Sequence, residues 1–403
     1  MAAFSGPEIP NGGLVFDYDM SNTKKSWMGA PTTNLVATVP YAPNVYTAVS
    51  WPVDATASDA TYQMRPVNRY TITSTGGTPR ARIIATGLIT GVNYSYSCKI
   101  KYNGPTSSPS WYIDSSKGNP EPTNNTFNSH TTNSVYLGNG WYQLTENFNF
   151  ATCPTGGAWA NFGLYAPDAT YLNQTFDAYD IQFEQTTYAT PYVNGIRSST
   201  QAILDLTGGN TITATSLTYA SDNTFSFNGT SNYIPITYSP LNYTLLTINV
   251  WTKPTNTTQV ATLVSEWGRS TGSNFKWLLF FNFWAQGNLY FVVGNAAGTG
   301  YSSHSIAHNL STSSYINYTI TYNVGTINMY QNGALVLNTS SANTTLKSIT
   351  TPLTIGCDYD TGTGDNPYRF YNGQIPLVQI YNRALSATEV SLNFVARRDR
   401  YGI

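Results

Sequence analysis

The sequence predicts an all-β protein of two β-sandwich domains, and three observations carry that expectation. The first is the stretch Tyr318 to Leu337, YTITYNVGTINMYQNGALVL, in which Tyr318, Ile320 and Tyr322 alternate with Thr319 and Thr321. Ile327 and Met329 resume the alternation after a break at Asn323 to Gly325, and Leu335 and Leu337 follow a second break at Asn332-Gly333. A period of two turns one face of each segment inward, and Asn-Gly supplies the positive φ angles of a type I′ hairpin, so the stretch reads as a three-stranded meander. The second is length: 403 residues exceed an ordinary sandwich and suit two domains of roughly 150 to 200 residues. The third is composition, with 31 Tyr, 17 Phe and only 10% charged residues, where an average soluble domain carries about 25% charge.

In chain order, Gly13 to Asp19 (GLVFDYD) alternates Leu14, Phe16 and Tyr18 against Val15, Asp17 and Asp19, a strand with one polar edge. Strands are then expected at Arg69 to Ser74, Ala81 to Ala85, Tyr94 to Tyr102 (YSYSCKIKY), Gly140 to Phe150, Asn161 to Tyr165 and Tyr179 to Glu184. Pro105 to Asn133, rich in Pro, Ser, Thr and Asn, reads as a long surface loop. Further strands follow at Thr247 to Lys253, Ala261 to Trp267, Trp277 to Phe283 and Leu289 to Gly294. There Phe280-Phe281 and Val292-Val293 break strict alternation, as strands buried on both faces do. One helix is expected: Ser386 caps ATEVSLNFVARR, and Glu389 completes a capping box.

The C-terminal third carries a resemblance. Thr354-Ile355-Gly356 ends a short strand, a polar Gly/Asp loop runs from Asp358 to Pro367, and FYNGQIPLV at Phe370 to Val378 leads into IYNRALSATEV at Ile380 to Val390. This order resembles the way laminin G-like jelly rolls of the concanavalin A-like lectin/glucanase superfamily close. The final NFVARRDRYGI is similar to the end of such domains in virion proteins of tailed bacteriophages. Such domains open with a GLV-type strand and pass directly to a phrase like FSFNGTSNYIPI, which here comes far downstream at Phe225 to Ile236. The resemblance therefore implies an insertion. Residues 1–34 supply a strand to a jelly roll spanning 203–403, residues 35–190 form an inserted sandwich, and 191–202 are a linker. The alternative is an N-terminal strand that caps the inserted module. GWY at Gly140 and YDIQFEQ at Tyr179 resemble carbohydrate-binding-module-like jelly rolls, and FEQTTYATPYVNGIRS resembles linkers of phage fibre and structural proteins.

What the resemblance implies is a non-enzymatic protein of the phage virion surface, a head decoration or fibre, or a tail or baseplate fibre. It would be made in the bacterial host cytoplasm. Its partners would be other virion proteins and cell-surface glycans, as a homo-oligomer with a trimer as the first expectation. A purely structural virion spacer and a glycan-degrading enzyme are the alternatives.

Composition narrows the partners. A formal net charge of −1 gives no handle for nucleic acid or an anionic membrane, so neither is expected. No run of about 20 apolar residues could span a bilayer, and MAAFSGPEIP lacks the basic and apolar regions of a secretion signal. Cys98, Cys153 and Cys357 are odd in number and far apart, which suits buried or tolerated thiols, with one disulfide left open.

Candidate chemistry is sparse. A glucanase needs two carboxylates roughly 5 to 10 Å apart, whereas Glu8, Glu121, Glu146, Glu184, Glu266 and Glu389 are scattered and the E-x-D-x-x-E phrase of the superfamily's glucanases is absent. Asp17 with Asp19, and Asp177 with Asp180, read as pairs without an apolar setting that would raise either pKa. No catalytic residue is expected. His304 and His308 lie four apart in a strand-and-loop context and read as a surface pair, since zinc needs three or four converging ligands. The loop DYDTGTGDN offers Asp358, Asp360 and Asp365 as oxygen ligands for calcium, the one cofactor the sequence suggests, with an ordinary Asp/Gly turn as the alternative. For sugar binding, aromatic rings stack on the apolar face of a sugar, and Trp27, Trp111, Trp141, Trp267 and Tyr301 are the candidates, each with a core or interface role as the alternative.

Overall fold

The strand Asn372–Tyr381 is the axis of the larger unit, because both of its edges are paired. Leu245–Pro254 runs along one edge; on the other lie Leu14–Asp19, with Asp17 opposite Gln379, and Phe225–Asn228, with Phe227 opposite Gly373. The N-terminal strand thus belongs to a sheet built by the C-terminal half of the chain. The computed structural model describes residues 9–36, 49–54, 68–72, 80–85, 89, 91–105, 110–117, 133–149, 158–164, 168–193, 195–214, 217–221, 224–237, 244–268, 274–297, 299–347, 349, 351–359 and 366–403. Its two units are Met1–Pro31 with Ser198–Ile403, and Thr32–Arg197.

In the larger unit the first sheet continues from Leu245–Pro254 through Ile316–Asn323 and Thr326–Gln331 to Ala334–Ser340. These last three strands are the expected meander, and Asn332 and Gly333 both take positive φ, 48° and 75°, as a type I′ turn requires. A second sheet is ordered Thr211–Ile212, Ile234–Thr237, Leu353–Ile355, Ala261–Gly268, Asn274–Phe281, Asn288–Gly294 and Tyr301–Ala307. Phe16, Tyr18, Ile248, Val250 and Ile320 from the first sheet join Leu263, Trp277, Leu279, Phe281 and Phe291 from the second in one core. The larger unit is a jelly-roll sandwich.

The helix Ala387–Arg398 packs on the outside of the first sheet. Ser386 Oγ accepts from the Glu389 amide at 3.3 Å and Glu389 Oε2 accepts from the Ser386 amide at 2.9 Å, the expected capping box. Val390 packs with Tyr330, Tyr381 and Leu385, and Phe394 stacks on Trp251 at 5.7 Å.

The smaller unit has a six-stranded sheet ordered Val49–Asp54, Asn68–Ile72, Thr175–Glu184, Asn93–Tyr102, Trp141–Asn149 and Asn133–Gly138, and a three-stranded sheet of Arg80–Ala85, Ala158–Leu164 and Trp111–Lys117. The alternation of YSYSCKIKY sends Tyr94, Tyr96, Cys98, Ile100 and Tyr102 into a core shared with Phe162 of the smaller sheet. Asp177 is bound by Arg69, and Asp180 by Lys99.

Several expectations are corrected. Residues 105–133 are not all loop, since Trp111–Lys117 is a strand whose place in the sheet is set by the Ala158–Leu164 partner. The described residues of the expected linker 191–202 take ordered local structure. The Val193 amide donates to Gln182 Oε1 at 2.7 Å, Arg197 pairs with Thr32 in a short ladder, and Ser199–Ala202 is one helical turn. His304 and His308 are not a surface pair. His304 lies on an edge strand, while His308 is buried with Nε2 3.1 Å from Asn282 Oδ1. Asp17 and Asp19 do lie in an enclosed setting: both are buried, and burial pushes the Asp17 carboxyl up to about 6 against the pull of Arg397 and Gln379. Cys98 and Cys357 are buried free thiols, and Cys153 lies outside the described residues.

Candidate functional site

The strand Asn274–Phe281 explains why the second sheet has two apolar faces. Trp277, Leu279 and Phe281 enter the sandwich core, whereas Phe275, Leu278 and Phe280 point to the other side. A register shift between Glu266 and Trp267 resets the alternation there. The neighbouring strands add Trp267, Tyr290 and Val292 to the outer cluster. The doubled residues Phe280-Phe281 and Val292-Val293 therefore serve two apolar environments.

On this outer face lies a hollow of about 200 Å³. Buried Trp267, Phe275, Leu278, Phe280 and Val292 form its floor. Exposed Phe283, Trp284, Thr299 and Tyr301 form its rim, with Trp284 46% and Tyr301 51% exposed. Trp267 and Phe275 stack at 4.4 Å, while the two exposed rings, Phe283 and Trp284, meet at 5.0 Å and 88°.

The rim is held from beneath. Phe283 and Trp284 sit in the turn after Phe281, which starts at Asn282 with φ of 62°. The Asn282 side chain donates to the carbonyls of Thr257 and Gln259 at 2.9 and 3.0 Å and accepts from the Gly287 amide at 2.8 Å. His308 closes on the same oxygen, and burial keeps its imidazole below its ordinary pKa. A turn pinned by one asparagine keeps two large rings in place before any ligand arrives.

Among the described lining residues one is charged, Arg369, and it is paired. Arg369 Nε and Nη2 donate to the two carboxylate oxygens of Asp358, both at 2.8 Å, and the Thr262 hydroxyl joins Asp358 Oδ2. The guanidinium lies 5.6 Å from the Phe280 ring and 5.2 Å from Phe283. Arg369 holds this position with φ of 50°, a conformation that costs a non-glycine residue roughly 1–3 kcal/mol. Next to Trp267 in sequence, Glu266 is fully buried and bound by Lys276 Nζ at 2.7 Å and by the Trp277 indole at 2.7 Å. Burial raises its pKa, with Lys276 opposing.

Of the five aromatic candidates from sequence, the structure brings two together: Trp267 in the floor and Tyr301 on the rim, 5.8 Å apart. Trp27 is instead a core residue, 2% exposed and packed on Phe225 and Tyr219. Trp141 is fully buried beneath Tyr179, so neither offers a surface to a sugar. Trp111 is half-buried against Tyr142 in the other unit. Asp358 does not fit a calcium ligand, because Arg369 takes both its oxygens; Asp360 and Asp365 lie outside the described residues. No cluster of three or more potential metal ligands occurs among the described residues. Phe283, Trp284 and Arg369 were not evident from sequence. The signal for the first two was present in FNFWAQGN, a turn that carries two large aromatics where polar residues are usual.

Residues 228–391 match the family model described as the Concanavalin A-like lectin/glucanases superfamily. That segment is a concanavalin A-like jelly roll. It holds the described lining of the hollow, Trp267 to Arg369. Among solved structures, the receptor binding domain of botulinum neurotoxin D is 17% identical, covering 49% of this chain and 50% of that one, with a TM-score of 0.37. The botulinum neurotoxin serotype D ligand binding domain in complex with N-acetylneuraminic acid is 16% identical over 49% of each chain, with a TM-score of 0.38. The chain thus spans about half the length of these structures. A search of curated proteins gives no match.

Proposed function

We propose that this chain is a non-enzymatic carbohydrate-binding protein, and that the aromatic hollow on the second sheet of its concanavalin A-like jelly roll is the glycan site. The observation that carries this reading is the rim: Phe283 and Trp284 are large, exposed and pinned by Asn282 over a floor that is already apolar. Exposed aromatic surface held in a concave site is what stacks on the C–H face of a sugar. A binding role fits better than hydrolysis, since the described lining contains no carboxylate and both nearby acids, Glu266 and Asp358, are bound to cations. A glycan array probed with the full chain and with Trp284→Ala tests this. The reading expects glycan signals that the variant loses; an array blank for both, or signals unchanged in the variant, would refute it.

The setting we propose is the surface of a tailed-phage virion, on the likeness of the closing YNRALS and NFVARRDRYGI phrases to such proteins. A spacer role that packs against neighbouring subunits is favoured by two sheet edges. Asn133–Gly138 exposes Val135 and Tyr136, and Ala334–Ser340 exposes Leu335 and Val336, in strands without a charged residue. Light scattering of the purified chain distinguishes an oligomer, with a trimer expected first, from a monomer.

A further inference from the structure

We propose that the hollow selects its sugar by a methyl group, either the acetamido methyl of an N-acetylhexosamine or the C6 methyl of a 6-deoxyhexose. This rests on the glycan reading of the same site and adds the feature that the site recognises.

Size sets the first bound. At about 200 Å³ the hollow is smaller than the roughly 300–1,000 Å³ that takes a drug-sized ligand, so it admits one sugar ring or a substituent of one.

Polarity sets the second. The floor residues Phe275, Leu278, Phe280 and Val292 have no side-chain hydrogen-bonding group at all, and Trp267 offers only an indole N–H that is itself buried without a partner. A hydroxyl pressed against that floor would lose water without gaining an acceptor, and affinity would fall for each one so placed. The part of the sugar that meets these floor side chains is therefore apolar, and its hydroxyls face the polar side of the hollow at Tyr301, Thr299 and Arg369.

Ring geometry sets the third. Around Trp284, Phe283 crosses at 88° and the buried Phe280 at 71°, whereas the exposed Tyr301 lies at only 33° and 6.1 Å. The crossed pair Phe283 and Trp284 bounds a corner that fits a compact knob such as a methyl, while the faces of Trp284 and Tyr301 are left for the sugar ring itself.

The test is a titration of the full chain with free N-acetylglucosamine, L-fucose and D-glucose, read by saturation-transfer NMR and by competition for an array-positive glycan. We expect at least one methyl-bearing sugar to bind tenfold or more tightly than glucose, the usual worth of one methyl in an apolar pocket. Its methyl protons should receive the strongest saturation, and the acetamido and 6-deoxy arms show which source the site uses. Trp284→Ala, at an exposed position, and Phe283→Ala should each abolish the preference with an unchanged melting curve. Glucose binding as tightly as both others, and lost in Trp284→Ala, overturns methyl selection while leaving the glycan site in place. Array glycans whose binding ignores both variants remove the site itself.

Discussion

The two outer faces of the larger unit flank one core, yet they are finished in opposite ways. On the first sheet, Asp17, Gln379, Asn249 and Thr319 stand opposite one another across four strands, a polar row on a buried face. Asn249 accepts from Asn317 Nδ2 at 2.8 Å and from the Thr319 hydroxyl at 2.9 Å, and donates to Gln379 Oε1 at 3.0 Å. The helix Ala387–Arg398 roofs this face, burying Asn393 and Arg397 beside Val390. On the second sheet the outer face around Asn274–Phe281 is apolar and aromatic. The contrast shows that a polar sheet face can be closed when its groups bond sideways, whereas an apolar face rimmed by exposed rings is where an external ligand gains most by binding.

The largest effect should come from the wall of the open face. Arg369→Met leaves the fully buried Asp358 carboxylate without its cation, and breaking such a pair costs about 3–5 kcal/mol. Urea unfolding should show that loss, and adding Asp358→Asn should recover part of it. A loss near zero would mean the pair is not what shapes the hollow.

The roofed face should respond to pH instead. Burial raises the Asp17 carboxyl to about 6, above the ordinary aspartate value near 4, so the folded protein holds this proton more tightly than the unfolded chain. The stability it confers is present at low pH and is lost as pH rises from about 4 through about 6. Asp17→Asn, which keeps the neutral form, should therefore stabilise the protein by about 3 kcal/mol at pH 7.5 and by almost nothing at pH 4. Thermal melts of both proteins across that range check the sign; an equal effect at both ends would exclude burial of the charge as its cause. Asp19, Asp205 and Arg397 face the same group.

The smallest effect concerns the edge of the roof. Ser386→Ala removes the cap from the C-terminal helix and should cost about 1 kcal/mol, with no change in glycan affinity. If affinity fell as well, the two faces would be coupled.

Much of the fold was legible because its rules are local. Alternation in YTITY and TINMY, Asn-Gly at the turn, and Ser386 with Glu389 at the helix start each act within a few residues. The N-terminal strand was placed by phrase order, and its pairing with Gln379 is seen directly. The site was less legible because it is assembled across distance. Trp267 and Tyr301 are 34 positions apart in sequence, and Arg369 is held at the hollow by its pairing with Asp358, 11 positions away, and by its left-handed backbone. Trp27 and Trp141 look no different from Trp267 in sequence, and only packing shows that they are core.

The most direct test of the account is a hydrogen-exchange footprint of the full chain with and without an array-positive glycan. It predicts slowed exchange in Asn282–Asn288 and in the strand around Tyr301, and none in the helix Ala387–Arg398. Protection of the helix with an unchanged 282–288 turn would contradict it.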